Sequence, residues 1–345
     1  MDESASTMKA VVDRSSVVNP RAESRCKHAQ GEAGKPASHD PLTPTIFHED
    51  WWLDAATSGN FEVAEVSSGG RTVGRLPFQT TKRFGLKCIR MPILTHFLGP
   101  AIDEGEGSTN TRFLKRLEIT RKLLEKLPPA SWQYVKCHRA ITEVIAFQEL
   151  GFRTYVQFTH EIAPDPVEVL WKRLRNKTRN VIRKAEEQFT VEELADPQEF
   201  IRLFEHNLEM KNEKNEIAGA PCGKIISTSI ERQRGRILTA RDKQGRVVAA
   251  NFCVWDEVSS FYLLSTRCVN SGNSEISLLL WEAIKESARR GLVFDFAGLG
   301  NKGSILLYSG FGAAIGVRYV ALRARPLARI LNELKNFSGT ENCFF

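Results

Sequence analysis

The 345-residue sequence predicts an α/β protein of the α+β kind. It reads as two tandem copies of one unit, each a mixed, mostly antiparallel sheet with flanking helices. Three observations lead there. A strand–turn–strand motif occurs twice at a constant offset. Each copy is followed by the same succession of strand, helix, strand and strand. Strands and helices do not alternate strictly, which rules against a doubly wound Rossmann domain.

Residues 1–43 are poor in aromatics and rich in Ser, Ala, Pro and charge, the composition of a disordered tail. "PLTPTIFHEDWWLDA" opens the ordered chain, with Trp51, Trp52 and Leu53 as core material. Trp52 has a second reading, as a platform stacked on a sugar or base. The first unit, 44–163, contains "VAEVSSGGRTVGRLPF"; the second, 164–330, contains "ILTARDKQGRVVAANF". Gly70-Arg71 matches Gly245-Arg246, and Val73 matches Val248. A further strand follows in each, "GLKCIRMP" and "SSFYLLSTR". A helix comes next. "TRFLKRLEITRKLLEKL" places Phe113, Leu114, Leu117, Leu124 and Leu127 on one face, and "EISLLLWEAIKESARR" does so with Ile276, Leu279, Leu280, Ala283 and Ile284. "WQYVKCH" and "LVFDFAG" are the next strands. Each copy closes on a Gly-Phe pair and a last strand, Gly151-Phe152 before "YVQFTHE" and Gly310-Phe311 before "VRYVALR". From Pro326, "PLARILNELKNF" reads as a short helix, and residues 331–345 form the closing tail.

Between the copies lies "DPVEVLWKRLRNKTRNVIRKAEE", expected to be one helix. Asp165 suits its N-cap, Pro166 its first position and Glu168 its first turn. Seven cations and no acid fall between Lys172 and Lys184. Lys172, Arg175, Arg179 and Arg183 are expected opposite the apolar face, and Lys177 and Lys184 on another flank. The i,i+4 partners that would neutralise such a face are missing, so an anionic ligand is expected there, most directly a phosphate held by Lys177, Arg179 and Arg183. A solvated face is the plain alternative.

"FDFAGLGNKG" carries Gly298, Gly300 and Gly303 in a G-x-G-x-x-G pattern after a strand. A dinucleotide turn also needs a following helix and an acid about 20 residues on. Here about one turn of apolar residues is followed by Gly310, Gly312 and Gly316, and no acid lies between Asp295 and Glu333. NAD, NADP and FAD are therefore not expected. Asn301 and Lys302 in this loop can hold polar groups of an acceptor, or simply face solvent.

Composition narrows the rest. A hydrophobic content of 42% supports real cores, and no apolar run reaches the length of a membrane span. Seven scattered cysteines without C-x-x-C point to reduced, mostly buried thiols in a cytoplasmic protein, and seven histidines without H-x-x-x-H speak against a metal site. A net charge of +7 suits a phosphate-bearing ligand.

"LWKRLRNKTRNVIRKAEE" resembles the K-x-R-N-x-I-R-K-A segment of GNAT-type acyltransferases of the FemAB-like group. "SFYLLST", the helix after it and "FDFAG...GFGA" are similar to that group's following and closing segments, and "WWLDA...LPF...MP...LGP" to its N-terminal half. The resemblance covers about residues 45–325 and implies two tandem GNAT-like domains. It also implies an N-acyltransferase that uses acyl-CoA as co-substrate, or aminoacyl-tRNA, with a small-molecule or cell-envelope precursor as acceptor and no tightly bound cofactor. On this resemblance Ser271, Gly272, Asn273 and Ser274, at the start of a helix, would meet the donor pyrophosphate. "VNSGNS" lacks the group's usual Q/R-x-x-G-x-G/A, Ala297 stands where an acid or polar residue is usual, and Ser309 where many relatives carry a cation. Asp295 can take or orient the amine proton, or be a fixed structural carboxylate; Tyr262 can protonate a leaving thiolate, or be core. The alternative from another class is a non-catalytic protein that binds phosphate, nucleic acid or a membrane surface through the basic helix.

Overall fold

The computed structural model describes residues 40–213, 215, 217, 219–269, 271–298 and 302–337. After a 3-10 turn, Ile46–His48, the first half runs α1 (Asp50–Thr57), β1 (Glu62–Ser68), β2 (Arg71–Arg83), β3 (Leu86–Arg90), β4 (Ala101–Ile102), α2 (Thr109–Glu125), β5 (Trp132–Lys136), α3 (Ile145–Glu149) and β6 (Arg153–Ile162). The second half opens with α4 (Val167–Arg173), α5 (Asn176–Glu186), β7 (Thr190–Glu193), α6 (Pro197–Met210) and α7 (Ala220–Glu231). It continues through β8 (Gly235–Arg241), β9 (Val247–Trp255), β10 (Ser259–Arg267), α8 (Ser274–Arg289), β11 (Val293–Asp295), α9 (Lys302–Tyr308), a 3-10 turn Ser309–Phe311, β12 (Ala314–Ala324) and α10 (Pro326–Phe337).

The repeated motif has a repeated geometry. Gly70 turns β1 into β2 with φ 77°, and Gly245 turns β8 into β9 with φ 78°, values a side chain resists. β3 pairs antiparallel with β2, and β10 with β9. β5 then lies parallel to β3, and β11 parallel to β10. Parallel neighbours need a crossover, and α2 and α8 supply it.

The two halves do not close separately. All twelve strands form one sheet in the order β1-β2-β3-β5-β12-β6-β11-β10-β9-β8-β7, with β4 on β2. β12, the last strand of the second half, sits between β5 and β6; β6, the last strand of the first, sits between β12 and β11. Each half thus lends its closing strand to the other. The exchange pairs two edges that would otherwise lie open.

On one face of the second half, α4, α5 and α8 cover Leu238, Ala249, Cys253, Tyr262, Phe294 and Phe296. On the same face of the first half, α2 and α3 cover Val73, Val135 and Ala321. The opposite face packs Trp52, Phe200, Ile225 and Ile226 of α1, α6 and α7 onto Ile237, Phe252, Val254 and Phe261. One expected stripe needs correction. Leu114 is exposed, because α2 buries only its C-terminal half, through Ile119, Thr120, Leu123 and Leu124.

The basic segment is two helices, not one. Leu174 and Arg175 are extended, with ψ of 143° and 146°. Leu174 is buried in the core, and the Arg175 amide donates to the Gly310 carbonyl at 3.0 Å. The break leaves carbonyls at the end of α4 without helical partners. Arg179 supplies them: its Nη1 donates to the carbonyls of Trp171 (3.3 Å), Lys172 (3.0 Å) and Leu174 (3.0 Å). At the other end Pro166 holds the N-cap position, and Asp165 makes no cap but pairs with Arg173 at 2.7 Å.

Candidate active site

β10 and β11 stay paired only from Ser259↔Val293 to Phe261↔Asp295. Beyond that β11 turns away, and the Phe296 amide donates to the His160 carbonyl of β6 at 3.0 Å. At the same level β10 slips against β9: Tyr262 pairs with Cys253 and Leu264 with Phe252, so Leu263 has no register partner. A bulge of this kind bends the strand and re-aims its side chains. Two parallel strands therefore part at their carboxyl ends, the place where open α/β sheets take ligands.

One side of the parting is aromatic. Tyr262 is buried, with the Tyr308 ring 6.2 Å away, and Tyr308 in turn lies 4.3 Å from Phe296. Burial, and then the neighbouring Tyr308, raise the Tyr262 hydroxyl well above the ordinary tyrosine value, although a hydrogen bond with Ser265 opposes this. Tyr262 therefore keeps its proton at neutral pH.

The other side is a buried polar network. Asp295 Oδ1 accepts from Thr159 Oγ1 (2.6 Å) and from the Ala297 amide (2.7 Å), while Oδ2 accepts from Arg318 Nη2 at 2.8 Å. Arg318 also pairs with Glu161 and lies 5.0 Å over the Phe97 ring. Burial raises the Asp295 carboxyl while Arg318 pulls it down. These bonds hold Ala297 at φ 58°, a left-handed conformation uncommon for a side chain, and the Gly298 amide donates to Thr159 Oγ1 at 3.0 Å. The glycine loop thus leaves the sheet from a fixed point. The first half contributes His96, hydrogen-bonded to the Ala297 backbone. Burial, and then Lys136, push His96 down to about 4, so it is neutral at pH 7. Burial also lowers Lys136.

Sequence reasoning singled out Asp295 and Tyr262 but missed Thr159, Glu161, Arg318, His96 and Lys136. Arg318 carried a signal, a lone charge inside the apolar strand "GVRYVAL". His96, in a loop, carried none.

Ser271, Gly272, Asn273 and Ser274 do lead into α8, and Arg267 donates to the Gly272 carbonyl at 3.0 Å. A carboxylate already lies in the turn that leads into α8, although no side chain caps the helix. Glu275, buried, accepts from the Gly272 amide at 3.3 Å and from Ser274 Oγ at 2.8 Å. Its negative charge opposes a donor phosphate placed beside it.

The remaining expected residues are scattered. Lys177 and Arg183 are exposed on α5, with Arg183 lying 5.5 Å over the Trp171 ring. Arg179 is turned inward onto carbonyls, so the exposed position expected for it does not hold. Trp52 is fully buried and donates from Nε1 to Thr95 at 3.0 Å, which leaves no face for stacking on a ligand. Asn301 lies outside the described residues, and Lys302 opens α9.

Comparison with known proteins agrees with this geometry. Residues 172–303 match the family described as an acetyltransferase (GNAT) domain. No curated protein sequence matches the chain. FemX superposes with a TM-score of 0.58 at 12% identity, over 82% of this chain and 93% of that one. A C-terminal domain (DUF2156) assigned to a lysylphosphatidylglycerol synthetase of Agrobacterium fabrum superposes with a TM-score of 0.57 at 14% identity, over 87% and 96%. A conserved protein of unknown function from Bacteroides thetaiotaomicron gives 0.53 at 12%, over 83% and 92%. At such identities these neighbours speak for the fold. The splayed strands, the crossover helix and the domain match together mark residues 172–303 as a GNAT acetyltransferase domain, within a chain whose fold is that of FemX.

Proposed function

We propose that the chain is an N-acyltransferase acting in the cytoplasm. It carries an acyl group from acyl-CoA, with aminoacyl-tRNA as the alternative donor, to an amine on a cell-envelope sugar, peptide or lipid precursor. It does so with two GNAT-like units, 44–163 and 164–330, the second holding the chemistry. The observation that carries this reading is the parting of β10 and β11 beside the bulge at Leu263. Acyl transfer develops negative charge on the carbonyl oxygen, and backbone N–H groups freed from a ladder are donors that need no reorganisation. The acceptor nitrogen attacks the carbonyl carbon, the bond to sulfur or to the tRNA oxygen breaks, the leaving group takes a proton, and the proton that the amine loses passes through water to restore the donor of that proton. Tyr262, held neutral, is the proton donor. Asp295 is spent on Thr159, Ala297 and Arg318, so its role is to position the loop at Ala297 and Gly298 rather than to take the amine proton. A neighbour named for lysylphosphatidylglycerol supports an envelope acceptor.

The test is consumption of donor. The purified chain is given a panel of acyl-CoA thioesters with amine acceptors, and free thiol is read; charged tRNA is offered in parallel and its deacylation read. Amine-dependent release from one donor class is expected, reduced about tenfold or more in Tyr262→Phe. Folded protein that consumes neither donor with any amine leaves the non-catalytic reading in its place. Glu275 gives a second readout. If acyl-CoA is the donor, Glu275→Gln lowers its KM, because the competing carboxylate is gone.

A further inference from the structure

The sheet face that carries α2, α3 and α8 is uncovered along its two exchanged strands. β6 and β12 pair through Phe158↔Val317, Ile315↔His160 and Tyr319↔Val156, so these residues share one face. On it Val156 is 50% exposed, Phe158 48%, Ile315 66% and Val317 46%. α9 ends beside this strip, with the ring of its last residue, Tyr308, 6.4 Å from that of His160. α9 itself exposes Ile305 and Leu306. A solvated sheet face normally carries polar side chains, and contiguous exposed apolar surface marks an interaction site.

The strip has a cationic rim. The turn Ser309–Phe311, which links α9 to β12, hangs on the break between α4 and α5, where the Arg175 amide donates to the Gly310 carbonyl. A Cβ on Gly310 would come within 2.4 Å of Thr178 Oγ1, so turn and helix are in direct contact. Lys172, Arg175 and Lys177 are exposed around this break, and none of them makes an ion pair among the described residues.

We propose that this face docks the protein on an anionic lipid bilayer. The apolar strip and α9 enter the interface, and the cations of the α4–α5 break meet lipid phosphates. The proposal goes beyond the transfer reaction and stands or falls apart from it. Apolar side chains beside uncompensated cations are the pairing that such a surface selects.

The test is co-sedimentation of the full chain with vesicles of phosphatidylcholine alone or with about one quarter phosphatidylglycerol. Binding is expected only with phosphatidylglycerol, and weaker at about 0.5 M than at about 0.1 M salt. The double variant Phe158→Ser, Val317→Ser should lose about tenfold or more in partitioning. Lys172→Glu with Lys177→Glu should lose as much and abolish the salt dependence. Tyr155→Ser, exposed on the other face of β6, should bind like the wild type. Should the double strand variant fail to fold, Leu306→Ser on α9 carries the same expectation. Absence of binding to phosphatidylglycerol vesicles overturns the proposal, as does wild-type binding by the apolar variants. A wild type that is dimeric by light scattering and made monomeric by them also overturns it, since the strip would then be a contact between copies. Because no acyl donor enters this experiment, its outcome is independent of the transfer assay.

Discussion

Arg318 on β12 reaches Asp295 on β11 at 2.8 Å, across the strand β6 that lies between them. One ion pair therefore ties both exchanged strands to the strand whose end opens the site. Thr159 of β6 joins it from below, at 2.6 Å.

Removing one partner of a buried pair leaves the other charge stranded, at a cost of about 3–5 kcal/mol. Arg318→Met is expected to lower unfolding stability by about that much in urea titration. Asp295→Asn, which keeps the shape and the Thr159 contact, should cost less. It should leave kcat within a few-fold in the protein that remains folded. A stable Asp295→Asn protein with kcat lost would instead make Asp295 part of the chemistry.

Arg179 and Lys177 stand two positions apart in α5 and do different work. Arg179→Ala takes a donor from three carbonyls at the end of α4, of which Trp171's keeps the Leu174 amide. It should cost about 1.5–3 kcal/mol, read as a lower Tm, with little change in affinity for phosphate-bearing ligands. Lys177→Ala should leave Tm in place. An unchanged Tm in Arg179→Ala would mean that the guanidinium is not needed to hold the break.

Gly312 has φ 72°, and a Cβ there would sit 2.7 Å from the Arg173 carbonyl oxygen. Gly312→Ala should destabilise by about 1–3 kcal/mol, since both strain and contact oppose it. Gly310→Ala meets the Thr178 hydroxyl instead, so Gly310→Ala should be partly rescued by Thr178→Ala. A double-mutant cycle in chemical denaturation reads the coupling, and a coupling of zero would show that turn and α5 do not touch.

His96 titrates near 4 when folded, against 6.5 for an unhindered histidine. Below 6.5 the unfolded chain binds a proton that the folded chain refuses. Stability from this group is therefore full above about pH 6.5 and falls as pH drops toward 4, by up to about 3 kcal/mol. His96→Gln should lose that slope. Denaturant midpoints of wild type and variant between pH 7 and pH 4 give the difference, and parallel curves would remove His96 from the acid response.

The sequence by itself determined the parts whose signals are local. The turns at Gly70 and Gly245 were legible because each needs a residue free to take positive φ. The helices α2 and α8 were legible from their apolar period, and the Rossmann reading of Gly298 to Gly303 fell on a missing acid; the helix thought missing is there, as the short α9 (Lys302–Tyr308), because one turn of apolar residues was enough to form it. Asp295 and Tyr262 could be named as candidates because they sit on two strands, "FDFAG" and "SFYLLST", that resemble known ones. Tertiary structure decided the rest. A strand's letters state that it pairs and which face is apolar, but not with whom; β12 chose β5 and β6 because their open edges offered it ladder bonds on both sides. The basic segment looked continuous because its period is unbroken, yet the Gly310 carbonyl competes for the Arg175 amide and buries Leu174. Arg179 could be counted as a surface cation until the carbonyls freed by that break became its partners. The pair of Arg318 and Asp295 depends on a strand from the other half lying between them, and no spacing along the chain encodes that.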